Sequence, residues 1–278
     1  MDTARCNTDG RVYTAPEFEA LPANEIAHMR RSLVCVECNG PGFFRRKSRS
    51  GQAACFGARP HAPSCTTPDT ESRTLTGTPE DHEPLVNLGD HVEVDLTFGS
   101  RQVHVVPPRD GDERPTPGDE RRGRRFTGTA GRTAVSRRRP SSLLRMLVES
   151  ENFRNSNTTI SIPDHIQGTP REVFVEFSEI EQDALVGQYR GYWGFVAEGK
   201  MDANSALWLN SGGTGDVSVL IPPDLVGVLF ERYGATDAED FTGAYVLVFG
   251  YLRLSKRNKQ FVRVEDVDTC VLYEPPVH

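Results

Sequence analysis

Two short pairs of metal-binding residue types constrain this chain more than any other feature. Cys35 and Cys38 form a C-x2-C pair, and His61 and Cys65 follow as an H-x3-C pair. A C-x2-C turn can bring two thiolates onto one tetrahedral ion, and a second pair completes the four ligands that zinc prefers. Because a closed shell leaves no position for water or substrate, we expect a structural Zn²⁺ site at these four residues.

Three alternatives bear on this site. Cys55 could replace His61 as the fourth ligand. Disulfides would need an oxidising compartment, and the N-terminal residues 1–6 contain no apolar stretch that could serve as a signal peptide. We therefore expect a cytoplasmic chain with reduced thiols. Buried cysteines without a ligand role are the third interpretation, which the two paired spacings disfavour.

The first quarter of the chain carries further features around these ligands. A hairpin-like segment at residues 5–13 leads into the cysteine pair, the basic stretch at residues 43–47 follows, and Phe56 precedes the second ligand pair. In this order, residues 4–65 resemble the N-terminal zinc module of CoiA-type competence proteins. The resemblance implies a nucleic-acid context. It does not imply cleavage, because no later segment resembles the nuclease-like domain of that family.

Charge is distributed unevenly along the 278 residues, which carry a net charge of −7. Residues 101–145 contain 12 basic and 5 acidic side chains, whereas residues 146–278 contain 10 and 20. The basic segment could bind nucleic acid by releasing condensed counterions, or it could be a solvated spacer. No stretch approaches the roughly 18 apolar residues that a membrane span needs, so we expect no membrane partner.

Low-complexity stretches divide the chain into five predicted segments. The stretches between the modules are poor in large apolar residues, so burial cannot offset the entropy of ordering them. The alternation of Val92, Val94 and Leu96, followed by Val103 and Val105, predicts a small hairpin. The segments are a zinc-binding module (1–65), a linker (66–83), a β-hairpin segment (84–107), a basic disordered linker (108–140) and a barrel with a leading helix (141–278).

The order of elements in the last hundred residues is informative. Three predicted strands (188–196, 206–210 and 217–221) precede a helix from Pro222 to Tyr233, and two strands follow (244–253 and 260–265, running on towards 273). This order resembles the OB-fold, a five-stranded barrel. An SH3-like barrel or a small sandwich is the alternative. The predicted fold class is therefore mainly β with short helices (α+β), with an N-terminal zinc module and an OB-like barrel joined by flexible linkers.

Strand alternation predicts which aromatic side chains of this barrel face outward. Inward Leu207 and Leu209 turn Trp208 outward, although Trp208 could instead belong to the core. OB-folds bind single strands by stacking bases on exposed aromatic rings beside a positively charged groove. The predicted nucleic-acid-binding residues are Trp208, Arg190, Lys256, Arg257, Lys259, Phe261 and Arg263 in the barrel, and Arg45, Arg46 and Lys47 in the zinc module.

These features predict a binding protein and not an enzyme. No Gly-x-Ser-x-Gly elbow or phosphate-binding loop occurs, and the loop at residues 211–215 lacks the lysine that a phosphate cradle uses. We expect an accessory protein that binds nucleic acid, with single-stranded DNA favoured, in DNA uptake, mobile-element maintenance or defence. The alternative is an adaptor whose acidic barrel binds a protein partner and whose zinc site is purely structural.

Overall fold

Strands make up most of the regular structure, and the helices are short, so the chain has a mixed α+β fold. The computed structural model describes residues 1, 3–47, 53–58, 61–62, 64–67, 90–96, 135–212 and 217–275. In residues 1–96 the strands are β1 (Thr3–Cys6), β2 (Val12–Thr14), β3 (Leu33–Val34), β4 (Gly42–Arg45), β5 (Cys55–Ala58) and β6 (His91–Val94). In residues 135–275 they are β7 (Val135–Arg138), β8 (Thr159–Ile162), β9 (Ile166–Gly168), β10 (Phe174–Glu176), β11 (Tyr189–Phe195), β12 (Glu198–Met201), β13 (Leu207–Asn210), β14 (Val217–Ile221), β15 (Tyr245–Leu254), β16 (Gln260–Arg263) and β17 (Cys270–Tyr273).

The helices connect these strands or pack on them. The α-helices are α1 (Ala15–Glu19), α2 (Ala23–Met29), α3 (Pro140–Glu149), α4 (Glu151–Arg154), α5 (Pro170–Val173), α6 (Gln182–Leu185) and α7 (Pro223–Tyr233). Short 3₁₀ helices cover Arg30–Ser32, Phe177–Glu179, Ala238–Phe241 and Val267–Thr269. None of the helices in the described ranges has the length and apolar character needed to cross a membrane.

The N-terminal module combines two small sheets around an aromatic core. Strands β2, β1 and β3 form one antiparallel sheet, and β4 pairs with β5 in the other. The rings of Phe18, Phe44 and Phe56 contact one another, with centroids 4.9 to 5.5 Å apart. Such a core is small, and a domain of about 60 residues is only marginally stable by burial alone.

This module packs directly against the C-terminal unit. Phe43 lies against Gly243, where a Cβ atom would come within 2.6 Å of the Phe43 ring, and the φ of +92° at Gly243 also favours glycine. Arg45 donates to the carbonyl of Thr242 at 2.8 Å and to the carboxylate of Glu274 at 2.8 Å. The two units thus share an interface.

The C-terminal unit is built on one extended sheet with strand order β10-β11-β15-β16-β14-β13-β12, and β17 pairs with β15. The five predicted strands and the helix are present as β11, β13, β14, β15, β16 and α7. Strands β10, β12 and β17 were not predicted. Residues 270–273 are a separate strand and do not extend β16, because a 3₁₀ turn precedes them. Aliphatic side chains from one face of the sheet form a core with α7 and the Ala238–Phe241 turn.

A second layer covers part of the opposite face of this sheet. Helix α3 supplies the buried Leu143, Leu144 and Leu147, which pack with Trp193 and Phe249 in a separate core. Next to α3 lies a four-stranded sheet of order β7-β6-β8-β9, whose β6 contributes buried valines to the same core. The helix that leads into the C-terminal unit therefore packs on the sheet.

Two sequence predictions change in this layer. Strand β6 is present, but it pairs in parallel with β7 and β8, and the predicted hairpin partner at residues 103–105 lies outside the described residues. Val135–Arg138, predicted to belong to a disordered linker, form β7 because pairing with β6 satisfies their backbone groups. Most of the predicted linker at 66–83, and residues 108–134, lie outside the described ranges.

Candidate metal centre and nucleic-acid interface

The four predicted metal ligands converge. The ligand atoms of Cys35, Cys38, His61 and Cys65 all lie within 4.8 Å of one another. The Cys35 and Cys65 sulfurs are 3.8 Å apart, and the Cys38 sulfur is 3.4 Å from Nδ1 of His61. Tetrahedral Zn–S bonds of about 2.3 Å and Zn–N bonds of about 2.0 Å separate such pairs by about 3.8 and 3.5 Å. The donor set therefore fits a tetrahedral metal ion.

Local backbone geometry explains how the C-x2-C pair is held. Asn39 has a φ of +58°, and its N–H donates to the carbonyl of Cys35, while the N–H of Cys35 donates to the carbonyl of Gly40. The left-handed residue closes the turn that places both sulfurs on one side. All six cysteines lie in the described residues and none forms a disulfide. The clustered imidazole is that of His61, and Cys55 is not in the cluster.

The thiols influence one another electrostatically. Burial alone would raise the pKa of Cys38, but backbone hydrogen bonds from Ala62 and Gly40 lower it below the ordinary thiol value. Burial, with the neighbouring thiols of Cys38 and Cys35, raises the pKa of Cys65 to about 11. A bound cation would stabilise the thiolate forms of all three cysteines together.

The C-terminal sheet presents a row of outward side chains across four strands. Lys200, Trp208, Leu220 and Arg263 are register neighbours on β12, β13, β14 and β16. The flanking Leu207, Leu209, Val219, Val262 and Val264 are buried on the other side of the sheet. The predicted alternation on β13 and β16 is therefore observed, and Trp208 is half-buried on the outward face.

Trp208 lies among aromatic, cationic and acidic neighbours. Its ring centroid is 6.0 Å from that of Phe261, and the Lys259 ammonium lies 5.7 Å from the ring. The indole N–H donates to Asp202 at 3.0 Å, a hydrogen bond that lowers the pKa of this carboxyl. Lys259 also donates to the side-chain oxygen of Asn210 at 3.0 Å. These contacts fix the indole on the sheet surface.

The remaining predicted cations of the C-terminal unit divide into two groups. Lys256 and Arg257 are exposed in the turn between β15 and β16, which also contains Lys259. Arg190 is not part of this surface. It alternates with the outward Tyr189, lies on the side of β11 that carries the buried Tyr192, and donates to the carbonyl of Tyr189.

The three predicted cations of the N-terminal module differ in their exposure. Arg46 and Lys47 are exposed, as expected of a cationic loop. Arg45 is not available to a phosphate, because its guanidinium is buried against Thr242 and Glu274. A strand continuing through residue 45 directs this side chain into the interface between the units.

Sequence reasoning did not identify several relevant residues. Lys200 lies beside Trp208 on β12, a strand whose residues show no apolar alternation. Arg253 on β15 lies beside Phe261, and alternation along the predicted strand could have identified it.

The ion pairs between the two units were also not identified from the sequence. Arg30 and Arg31 of the N-terminal module pair with Glu198 at 3.4 and 3.0 Å. Arg30 also donates two hydrogen bonds, of 3.0 and 2.8 Å, to Glu239.

Comparisons with known proteins are limited to parts of solved structures. No protein-family model and no curated protein matches the chain. An asparaginyl-tRNA synthetase from Pyrococcus horikoshii matches 37% of this chain and 23% of its own, with 20% identity and a TM-score of 0.28. A putative aspartyl-tRNA synthetase from Leishmania major Friedlin matches 38% of this chain and 21% of its own, with 11% identity and a TM-score of 0.28. The chain therefore spans less than a quarter of the length of these two proteins.

Proposed function

We propose that this protein is a nucleic-acid-binding accessory protein that binds single-stranded DNA on the outward face of its C-terminal sheet. The observation that carries this proposal is the grouping of Trp208 and Phe261 with Lys259 and Arg263 on one accessible surface. Aromatic rings beside cations are the elements with which proteins hold single strands, since every base has a face that can stack. The proposed role involves no catalytic step.

We further propose that the C-terminal unit is an OB-like barrel. The order of strands and helix supports this, as does the parallel pairing of β14 with β16. Leaving out the edge strand β10, pairing leads from β11 through β15, β16, β14 and β13 to β12, and β11 and β12 are consecutive strands in the chain. A single bent strand spanning both would bring the two ends of the path together, as barrel formation requires.

The acidic composition of the C-terminal unit is the main argument against this function. Part of this acidic charge is neutralised at the interface between the units. There Glu198, Glu239 and Glu274 pair with Arg30, Arg31 and Arg45 of the zinc module. The remaining acidic excess favours the alternative function, an adaptor that binds a protein through this face. In that case the metal site would stabilise the fold and nothing more.

A salt-titrated binding assay with single-stranded DNA, duplex DNA and RNA tests the proposal. We expect single-stranded DNA to bind most tightly and its affinity to fall linearly with the logarithm of salt concentration. Replacing Lys256 and Arg257 together by alanine should reduce the slope by roughly 0.7 for each lost phosphate contact. Arg171→Ala, an exposed cation on α5, is the matched control and should leave the slope unchanged. Absence of binding to all three ligands at low salt would favour the adaptor.

We propose Zn²⁺ as the ion held by Cys35, Cys38, His61 and Cys65. When bound, a zinc ion at a closed four-ligand site crosslinks the chain and supplies no open position for chemistry. Elemental analysis of protein purified without chelator should give about one equivalent of zinc. His61→Ala should lose zinc while Cys55→Ser retains it. Full occupancy in His61→Ala would contradict the proposed ligand set.

The N-terminal resemblance to CoiA-type modules supports a role in DNA uptake, mobile-element maintenance or defence. Free thiols in all six cysteines are compatible with the proposed cytoplasmic location.

A further inference from the structure

A second group of stacked aromatic rings lies on the outward face of the sheet, away from Trp208. The rings of His165 and Tyr189 are parallel within 8°, with centroids 3.6 Å apart. Tyr251 meets Tyr189 edge-on at 5.1 Å and His165 at 6.4 Å. His165 is exposed, and 44% of Tyr251 is exposed, which is unusual for a large aromatic side chain.

Two separate parts of the chain build this group. Tyr189 and Tyr251 are register partners on β11 and β15. His165 comes from the turn between β8 and β9, where its N–H donates to the carbonyl of Ile162. Asp164 precedes it with a φ of +63°, and Pro163 stands one residue earlier, the pattern of a type II turn. The turn therefore places the imidazole on Tyr189 through defined backbone geometry.

Strand register connects this group to the Trp208 surface. Arg253 lies two residues beyond Tyr251 on β15, and it is the register partner of Phe261 on β16. Arg253 pairs with Glu265 at 3.1 Å, but both side chains are about half exposed, so the pair contributes little stability and can exchange for a phosphate. Outward-facing aromatic rings thus lie at both ends of a path across the sheet surface, which runs from Trp208 to Tyr189, and exposed cations lie between them.

The length of this path suits a short single strand. Neighbouring strands are about 4.8 Å apart, so β13 and β11, separated by β14, β16 and β15, are roughly 19 Å apart along the sheet. At the duplex rise of 3.4 Å per nucleotide this distance corresponds to roughly six nucleotides, and to fewer in an extended strand. Site sizes of about 4 to 16 nucleotides are usual for such surfaces.

We propose that His165, Tyr189 and Tyr251 form a second base-stacking platform, which continues the single-strand path from Trp208 and Phe261 across Arg253. This proposal rests on the proposed function. Tyrosine and histidine rings both stack on unpaired bases. The platform lengthens the binding surface, so it acts on oligonucleotides long enough to reach it and leaves shorter ones unaffected.

The test compares oligothymidylates of about three and about ten nucleotides on the full-length protein. Tyr251→Ala should weaken binding of the longer oligonucleotide about 5-fold to 150-fold, the effect of one lost base stack. It should leave the shorter one unchanged, because three nucleotides fit on the Trp208 end. Tyr251→Phe keeps the ring and should bind like the wild type. Val228→Ala, an exposed apolar residue on α7, is the surface control.

The outcomes separate this proposal from the proposed function. If Tyr251→Ala and His165→Ala bind both lengths like the wild type while Trp208→Ala is weakened, the second platform is wrong and the proposed function stands. Equal weakening for both lengths in Tyr251→Ala would also overturn the platform. If Trp208→Ala binds like the wild type as well, the proposed function itself fails. Thermal unfolding of each variant confirms that the folded protein is being compared.

Discussion

Trp193 and Trp208 lie on the same outward face of the C-terminal sheet, but their surroundings are opposite. Trp193 on β11 is 5% exposed, because the layer containing α3 covers this half of the face. Trp208 on β13 is half-buried in the half that this layer leaves open. The difference shows that strand alternation fixes which way a side chain points, while another layer decides whether it becomes core or surface.

The largest expected difference is between the stability losses caused by replacing one phenylalanine in each half of the face. Phe249 is buried in the covered half. Phe249→Ala should lower the free energy of unfolding by about 3 to 5 kcal/mol, because the substitution leaves a cavity. Phe261→Ala in the open half should cost less than about 1 kcal/mol, because little packing is lost. Denaturant unfolding of both variants measures the contrast. Equal losses would show that the open half is also packed.

The second effect concerns the interface with the zinc module. Arg45→Ala should destabilise the protein by about 3 to 5 kcal/mol, because it removes the buried cation that pairs with the Glu274 carboxylate. Arg46→Ala is the matched control, since Arg46 is the exposed neighbour, and it should stay within about 0.5 kcal/mol. If Arg45→Ala is as stable as Arg46→Ala, the two units do not share the interface described above.

A change of pH should have a smaller effect on stability, through Glu198 at the edge of the open half. Burial alone would raise the pKa of Glu198, but Arg30 and Arg31 lower it below the ordinary carboxyl value of about 4.5. The ionised form therefore stabilises the folded state above that pH, and the contribution is lost as the pH falls through the lowered pKa. The stability advantage of the wild type over Glu198→Gln should shrink between pH 7 and pH 3. An unchanged advantage over this range would contradict the pairing.

Local patterns predicted the features that depend on neighbouring residues in the chain. The C-x2-C and H-x3-C spacings identified the four clustered ligands, and inward Leu207 and Leu209 identified the outward Trp208. The burial of Arg45 could not be predicted, because its partner Glu274 is 229 residues away in the chain. Strand β12 was missed because pairing with β13, and not its own composition, orders Glu198–Met201. The parallel partners of β6 likewise depend on contacts between distant segments.

The most direct test of the open face replaces each of the two tryptophans of the chain in turn and measures unfolding and single-stranded DNA binding on the same preparations. Trp208→Ala should weaken binding by about 1 to 3 kcal/mol through lost base stacking, with little loss of stability. Trp193→Ala should instead cost about 3 to 5 kcal/mol of folding stability, and the protein that remains folded should still bind. A stable Trp208→Ala variant with unchanged affinity would contradict the proposed binding face.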